Sequence, residues 1–324
     1  MLKRGRPGID RAIEPQFGVS REGQPLSYNR APAPDLVPWI AGLYATIVDA
    51  PPDYRLDCGL FNDTTLMRLQ LKGDWTAHTA DGVRQHARSA LFFGPQTRLM
   101  PISVQGAFAS TGISFRPGAG FALSRARIGE HTDRFVTCEQ LGFPGEAALA
   151  MLEAGASPED WLSSLEDLLR ELIARTKANL PDPVSTRFEA IAFAKPSQPI
   201  ADIARDIGIE QRQLERIVRR DFGMAPKKVL RRARALDMAS HLRGVADDAE
   251  AEELALRYFD QSHLIHEFTD LFGMTPKRFV ETPLPILTLA LESRQARRLE
   301  ALKRLAPGAK RPWEQEFELS RTAN

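Results

Sequence analysis

Cysteine is nearly absent: Cys58 and Cys138 stand alone in 324 residues. Two isolated thiols rule out a disulfide framework and are expected to be reduced and packed, as in a cytoplasmic protein. No run of 18 or more apolar residues occurs, which argues against a membrane-spanning helix. The opening MLKRGRPGIDRAIEPQFG carries charge but no apolar stretch, so no signal peptide is expected. Neither a Gly-rich phosphate loop nor a nucleophile elbow appears. Histidine is scarce at 6 residues, and His78, His86 and His131 include no His-x-His pair. His263 and His266 lie three apart, but no carboxylate or cysteine is placed to complete a metal site with them. An enzyme is therefore a distant reading, and no metal or cofactor is expected.

What the chain has is a hydrophobic fraction of 43%, enough for ordinary folded cores, and a length that suggests about two domains. The net charge of +1 hides an asymmetry. Residues 195–243 hold 12 Lys and Arg against 6 Asp and Glu, a balance of +6. Residues 244–281 hold 3 against 9, a balance of −6. Charge runs are usually solvated surface. Here the sign bears on function, because cations that meet phosphates supply most non-specific DNA affinity.

The basic stretch has helical period. Ile200, Ile203, Ala204 and Ile207 share one face of a short helix. Gly208 follows, where a tight turn needs tolerance of positive φ, and Glu210 is a weak N-cap candidate. A second helix then puts Leu214, Ile217 and Val218 on one face and Arg212, Glu215, Arg216, Arg219 and Arg220 on the other. This is a helix-turn-helix pattern, whose second helix lies in the DNA major groove. Phe222-Gly223-Met224-Ala225-Pro226-Lys227-Lys228 recurs fifty positions on as Phe272-Gly273-Met274-Thr275-Pro276-Lys277-Arg278, so one unit is used twice.

On these residues, and on Asp260-Gln261-Ser262-His263-Leu264 with Glu267-Phe268, the stretch 196–281 resembles the DNA-binding domain of the AraC/XylS family of transcription regulators. The resemblance implies two helix-turn-helix units joined by one long helix, here 226–243, within a domain spanning 184–281. It also implies double-stranded DNA as partner, with RNA polymerase if the protein is an activator. Arg212, Glu215 and Arg216 lie early on the recognition helix and are the expected base readers. Arginine reads guanine O6 and N7, and glutamate accepts from cytosine N4. Arg219, Arg220, Lys227 and Lys228 are expected to hold phosphates. Gln261, Ser262 and His266 are the corresponding base-reading candidates in the second unit. That unit departs from the family pattern: in the usual register Arg257 replaces the turn glycine, and Glu252 and Glu253 fall in buried slots. A turn about two residues shorter puts Leu254-Ala255 there instead.

Before this domain, residues 31–143 read as mainly β. Thr65, Met67, Leu69 and Leu71 alternate with Leu66, Arg68, Gln70 and Lys72, the period of a half-buried strand. Gly73-Asp74 and Asp81-Gly82 read as turns flanking Trp75–Ala80. Residues 90–95 and 112–115 read as further strands of a small barrel or sandwich. The segments 33–40, 94–98 and 114–120 are similar to the sensor domain of one AraC subgroup, which implies a cupin-like fold that binds a small effector or pairs subunits. Arg68, Arg98 and Arg116 are candidates for meeting an anionic effector.

The expected fold class is therefore α+β: a β-rich, cupin-like barrel or sandwich with flanking helices, then an all-α domain of two helix-turn-helix units. Residues 1–30 read as a mobile arm, and 31–180 as the sensor domain, with an amphipathic helix at 158–177. Its stripe of Trp161, Leu165, Leu168, Leu169 and Leu172 suits either a second subunit, giving a homodimer, or its own sheet. Residues 282–324 extend past the family domain, with a helix over 286–305 and a basic side that includes Arg294, Arg297 and Arg298. The leading function is a sequence-specific DNA-binding regulator. The rival is a ligand-binding or scaffolding protein whose helical domain no longer binds DNA.

Overall fold

The computed structural model describes residues 14–15, 27–152, 156–245 and 261–306. The expected arm, the acidic loop after Val245, the register question at 252–257 and the tail past 306 lie outside the described residues. The described residues form an antiparallel sheet followed by helices, an α+β fold. The strands are β1 (Glu14–Pro15), β2 (Tyr28–Arg30), β3 (Ile40–Asp49), β4 (Arg55–Leu60), β5 (Leu66–Thr79), β6 (Gly82–His86), β7 (Ser89–Phe93), β8 (Met100–Phe115) and β9 (Phe135–Thr137).

Their order is β1-β3-β8-β5-β7-β9, with β2 also on β3, β4 on β8 and β6 on β5. Among the described residues no pairing closes this path into a barrel. The two long strands β5 and β8 run side by side through its centre. Each changes its other neighbour half-way: β8 passes from β4 to β3, and β5 from β7 to β6.

That arrangement corrects two expectations. Gly73-Asp74 is not a turn. β5 continues through it with register shifts at Gln70/Lys72 and Lys72/Asp74, and Gly73 takes φ +100°. A bulge bends a strand without ending its pairing, and a Cβ at Gly73 would lie 2.9 Å from Val104 Cγ2. The first part of the strand is also not half-buried: Leu66, Met67, Arg68, Leu69 and Gln70 are all buried, because helices cover both faces of the sheet at this point, whereas Leu71 is half-buried and Lys72 exposed. Asp81-Gly82 does close the β5–β6 hairpin.

The helices are α1 (Ala119–Ser124), α2 (Gly145–Met151), α3 (Pro158–Thr176), α4 (Pro183–Ala194), α5 (Ile200–Ile207), α6 (Gln211–Phe222), α7 (Pro226–Leu242), α8 (Gln261–Phe272), α9 (Pro276–Glu281) and α10 (Pro285–Ala301). Ser157 and Asp160 start α3 with a reciprocal capping box, and Pro158 occupies its first turn. Asp182 caps α4 and Thr275 caps α9 by accepting from backbone N–H groups.

Among the described residues three apolar cores result. One packs Met67, Leu69, Phe92 and Phe115 of the sheet against α3, whose whole stripe of Trp161, Leu165, Leu168, Leu169 and Leu172 is buried there. The stripe that could have paired subunits therefore covers its own sheet. A second core is private to α4–α7, built on Phe188, Ile203, Leu214, Val218 and Phe222. The third joins the opposite face of the sheet, Leu60, Phe61, Trp75 and Phe108 among it, to Leu236 and Ala239 of α7, Phe268 and Phe272 of α8, Phe279 of α9 and Leu287 of α10. Phe61 meets Phe272 edge-on at 5.2 Å across this boundary. Both cysteines are buried thiols, and burial pushes each pKa up.

Candidate nucleic-acid interface

The first helical pair is built by its apolar face. Ile203, Ala204 and Ile207 of α5 close on Leu214 and Val218 of α6. Gly208 ends α5 at φ +85°, and its N–H bonds Ala204 and Arg205 carbonyls, so the chain reverses within one turn. Glu210 holds the N-cap position of α6 in extended conformation but makes no side-chain cap bond. The outward face of α6 follows from the same geometry. Arg212, Arg216 and Arg219 recur at i, i+4 and i+7 and are exposed together. Glu215 is half-buried and accepts from Gln211 Nε2 at 2.9 Å. Lys227 and Lys228 are exposed in the first turn of α7.

Arg220 stands apart from that row. Its guanidinium donates to Asp221 at 2.5 and 2.7 Å and to Asp182 at 3.1 Å, and lies 4.9 Å over the Phe121 ring of α1. The Asp221 hydrogen bond raises its pKa, against burial. Asp221 itself is buried and also accepts from Ser185 Oγ at 2.7 Å. Arg220 is thus a fastener between the linker, α6 and the sheet's flanking helix, and it is not counted among the free cations. The C-terminal end of α6 is seated on the sheet domain in a second way. Gly223, at φ +69°, faces Gly129 so closely that a Cβ would lie 3.1 Å from the Gly129 Cα and 2.4 Å from Pro95 Cγ.

In the second unit the described residues begin at Gln261, so the stretch expected to form its first helix lies outside them. Gln261 and Ser262 sit in the first turn of α8, and His266 is exposed one turn on. The acids of α8 answer the basic side of α7: Glu267 accepts from Arg234 at 2.8 Å and Asp270 from Arg231 at 2.7 Å.

Of the three arginines expected to meet an anionic effector, Arg68 and Arg116 line cavities, that at Arg116 being only about 10 Å³. Arg68 is 4% exposed and lines a cavity between the sheet and α10. Arg98 is exposed in the loop before β8, and Arg116 donates to the Val37 carbonyl at 2.6 Å near Glu189. Among the described residues no group of three or more His, Cys, Asp or Glu side chains could hold a metal. His86 is partly buried against Phe135, and burial first, then the charge of Arg68, pulls its pKa down to about 4.

A second set of side chains was missed in the sequence. Asp63, in the loop between β4 and β5, lies within salt-bridge reach of Arg294 at 3.2 Å and of Arg297 more closely. Its carbonyl accepts from Arg232 Nη2 at 2.7 Å. Arg297 also donates to Glu189 at 2.8 Å, and Arg294 and Arg298 reach Asp237 at 2.7 and 3.1 Å. Burial pushes the Asp63 carboxyl up, but Arg297, Arg294 and Arg232 hold it below its ordinary value. Burial draws Arg232 down to about 10, against the pull of Asp63. The basic side of the C-terminal helix is therefore turned inward, onto carboxylates, at Arg294, Arg297 and Arg298. One signal was present in the sequence: Arg232 interrupts the apolar row Val229, Ala233, Leu236 of α7.

Residues 203–282 match the model of a family described as a helix-turn-helix domain. The chain carries an AraC-type helix-turn-helix domain. The AraC-type domain is one of DNA-binding transcription regulators. No curated protein matches the chain. Among solved structures, unsaturated fatty acid-bound ToxT from Vibrio cholerae is 10% identical, covering 86% of this chain and 97% of that one at a TM-score of 0.40. ToxT bound to (E)-4-(8-methylnaphthalen-1-yl)but-3-enoic acid is 10% identical over 78% and 98%, at 0.41. The AraC-like transcriptional activator CuxR is 15% identical over 62% and 78%, at 0.26. Likeness this loose transfers no residue's role to the AraC-type domain or to the sheet before it. Among the described residues no helix is long and apolar enough to cross a membrane.

Proposed function

We propose that the protein is a sequence-specific regulator of transcription that binds double-stranded DNA through α5 and α6, with a small effector held in the sheet domain. The observation that carries this reading is the free row of Arg212, Arg216 and Arg219, continued by Lys227 and Lys228, on a helix pair that closes its own core. Arg232, Arg294, Arg297 and Arg298 of the helical region are buried. The exposed row keeps its charges available for DNA. Arg212 and Arg216 read bases from the major groove, Glu215 supports that edge, and Arg219, Lys227 and Lys228 meet phosphates. Gln261, Ser262 and His266 supply a second, weaker contact on α8.

The test is a footprint on genomic fragments followed by binding curves for Arg216→Ala. A base reader loses about 1–3 kcal/mol at the selected site and little on random DNA. Equal loss on both makes Arg216 a phosphate contact. No protected fragment at any salt concentration favours the rival reading, a ligand-binding or scaffolding protein.

A further inference from the structure

The cavity beside Arg68 holds a charge that the described residues leave without an anion. Arg68 is 4% exposed. Its Nη2 donates to Ser110 Oγ at 3.2 Å, its guanidinium lies 4.7 Å over the Trp75 ring, and its Nε has no hydrogen-bond partner. No carboxylate among the described residues forms a salt bridge with it, whereas Arg294 and Arg297 at the rim of the same cavity are paired with Asp63. A buried guanidinium without a counter-charge is costly, and a positioned anion removes that cost. Asn62 adds a second buried donor, its Nδ2, without a partner. Tyr44 lines the cavity with a phenol whose pKa is raised by burial, so it stays neutral and able to donate.

The remaining lining sets the ligand's size and class. The cavity is about 70 Å³. At roughly 10–15 Å³ per water-sized centre it takes about five such groups. Leu66, Phe108 and Leu289 supply apolar wall to the same cavity. A planar fork of N–H donors suits a carboxylate in two-point contact. We propose that this cavity binds a short aliphatic carboxylate, its carboxylate on Arg68 and Asn62 and its alkyl part against Leu66, Phe108 and Leu289. This rests on the effector-controlled reading above and names the effector's class. α10 forms one wall of the site through Leu289 and Ala290, so occupancy bears on the helix that ties the sheet to α7.

The test uses the full chain without DNA and propionate as probe, titrated against chloride at constant ionic strength. Propionate is expected to give a one-site isotherm and a saturable rise in melting temperature, with chloride giving neither. Arg68→Met should weaken binding at least tenfold. Should that variant fail to fold, Ala290→Leu fills the cavity from the α10 side, leaves Arg68 in place, and should abolish binding. No saturable response to propionate, an equal response to chloride, or wild-type binding by folded Ala290→Leu overturns the proposal. Because the assay contains no DNA, a protein that binds propionate but no operator refutes the regulator reading alone, and one that does the reverse refutes the carboxylate site alone.

Discussion

At the scale of single residues, Asp63 shows how position outweighs residue type. It is a lone acid in a loop, yet Arg294 and Arg297 converge on its side chain and Arg232 on its carbonyl. Removing one partner of a buried ion pair leaves the others charged and desolvated, at about 3–5 kcal/mol. Asp63→Ala is therefore expected to lower unfolding stability by an amount in that range, measured by denaturant melts. A loss below about 1 kcal/mol, typical of exposed pairs, means water reaches the cluster. His86 makes a pH statement. Its folded pKa of about 4 lies below the ordinary 6.5, so the unfolded chain takes up the proton first as pH falls. The folded state loses stability as pH drops from 6.5 to 4, and this contribution changes no further below that. The slope is at most about 1.4 kcal/mol per pH unit, less here because the ring is only partly buried. His86→Phe keeps a ring for Phe135 and removes the titration, so its melting temperature should fall less between pH 6.5 and 4.5 than that of the wild type. Parallel curves would show that the ring takes up its proton without penalty.

At the scale of elements, what the sequence made legible was local. The helix expected over 158–177 is 158–176, and the one over 226–243 is 226–242, because apolar period, Pro and capping residues act within a few positions. The turn at Gly208 was readable for the same reason. Gly73-Asp74 was not: glycine marks a turn or a bulge alike, and only pairing with β8 on both sides decides. Arg220 looked like Arg219 in sequence. Its difference comes from Asp182 and Phe121, which are 38 and 99 positions away in number. The salt dependence of DNA binding separates these neighbours. Each neutralised phosphate contributes about 0.9 to the log–log slope. Arg219→Ala with Lys227→Ala should flatten the slope by about two units' worth, about 1.8. Arg220→Ala should instead lower thermal stability and leave the slope of the folded protein nearly unchanged. An equal flattening by Arg220→Ala would place its guanidinium on DNA.

At the scale of the whole molecule, the arrangement of cores departs from the picture of a sensor followed by a separate DNA-binding domain. The α4–α7 unit closes on itself, but α8, α9 and α10 share an apolar core with one face of the sheet. The backbone joins there too, with Leu99 N–H donating to the Leu271 carbonyl at 2.7 Å. Nothing in the sequence pattern distinguishes a helix that faces its own domain from one that faces a sheet 170 residues earlier. Residues 31–180 alone would leave Leu60, Phe61, Trp75, Ile102 and Phe108 without the helices that cover them. Each large apolar side chain left in water forfeits about 1.5–3 kcal/mol, and the net stability of a domain is only about 5–15 kcal/mol. The fragment is therefore expected to bind a hydrophobic dye strongly or to self-associate, although its circular dichroism stays strand-dominated. In the full chain, sheet and C-terminal helices should unfold in one transition, with tryptophan fluorescence and the far-ultraviolet helix signal moving together. A monomeric, dye-free fragment melting cooperatively at the temperature of the full chain would show that the sheet does not depend on α7–α10, and that the core shared between them contributes little to holding the two halves together.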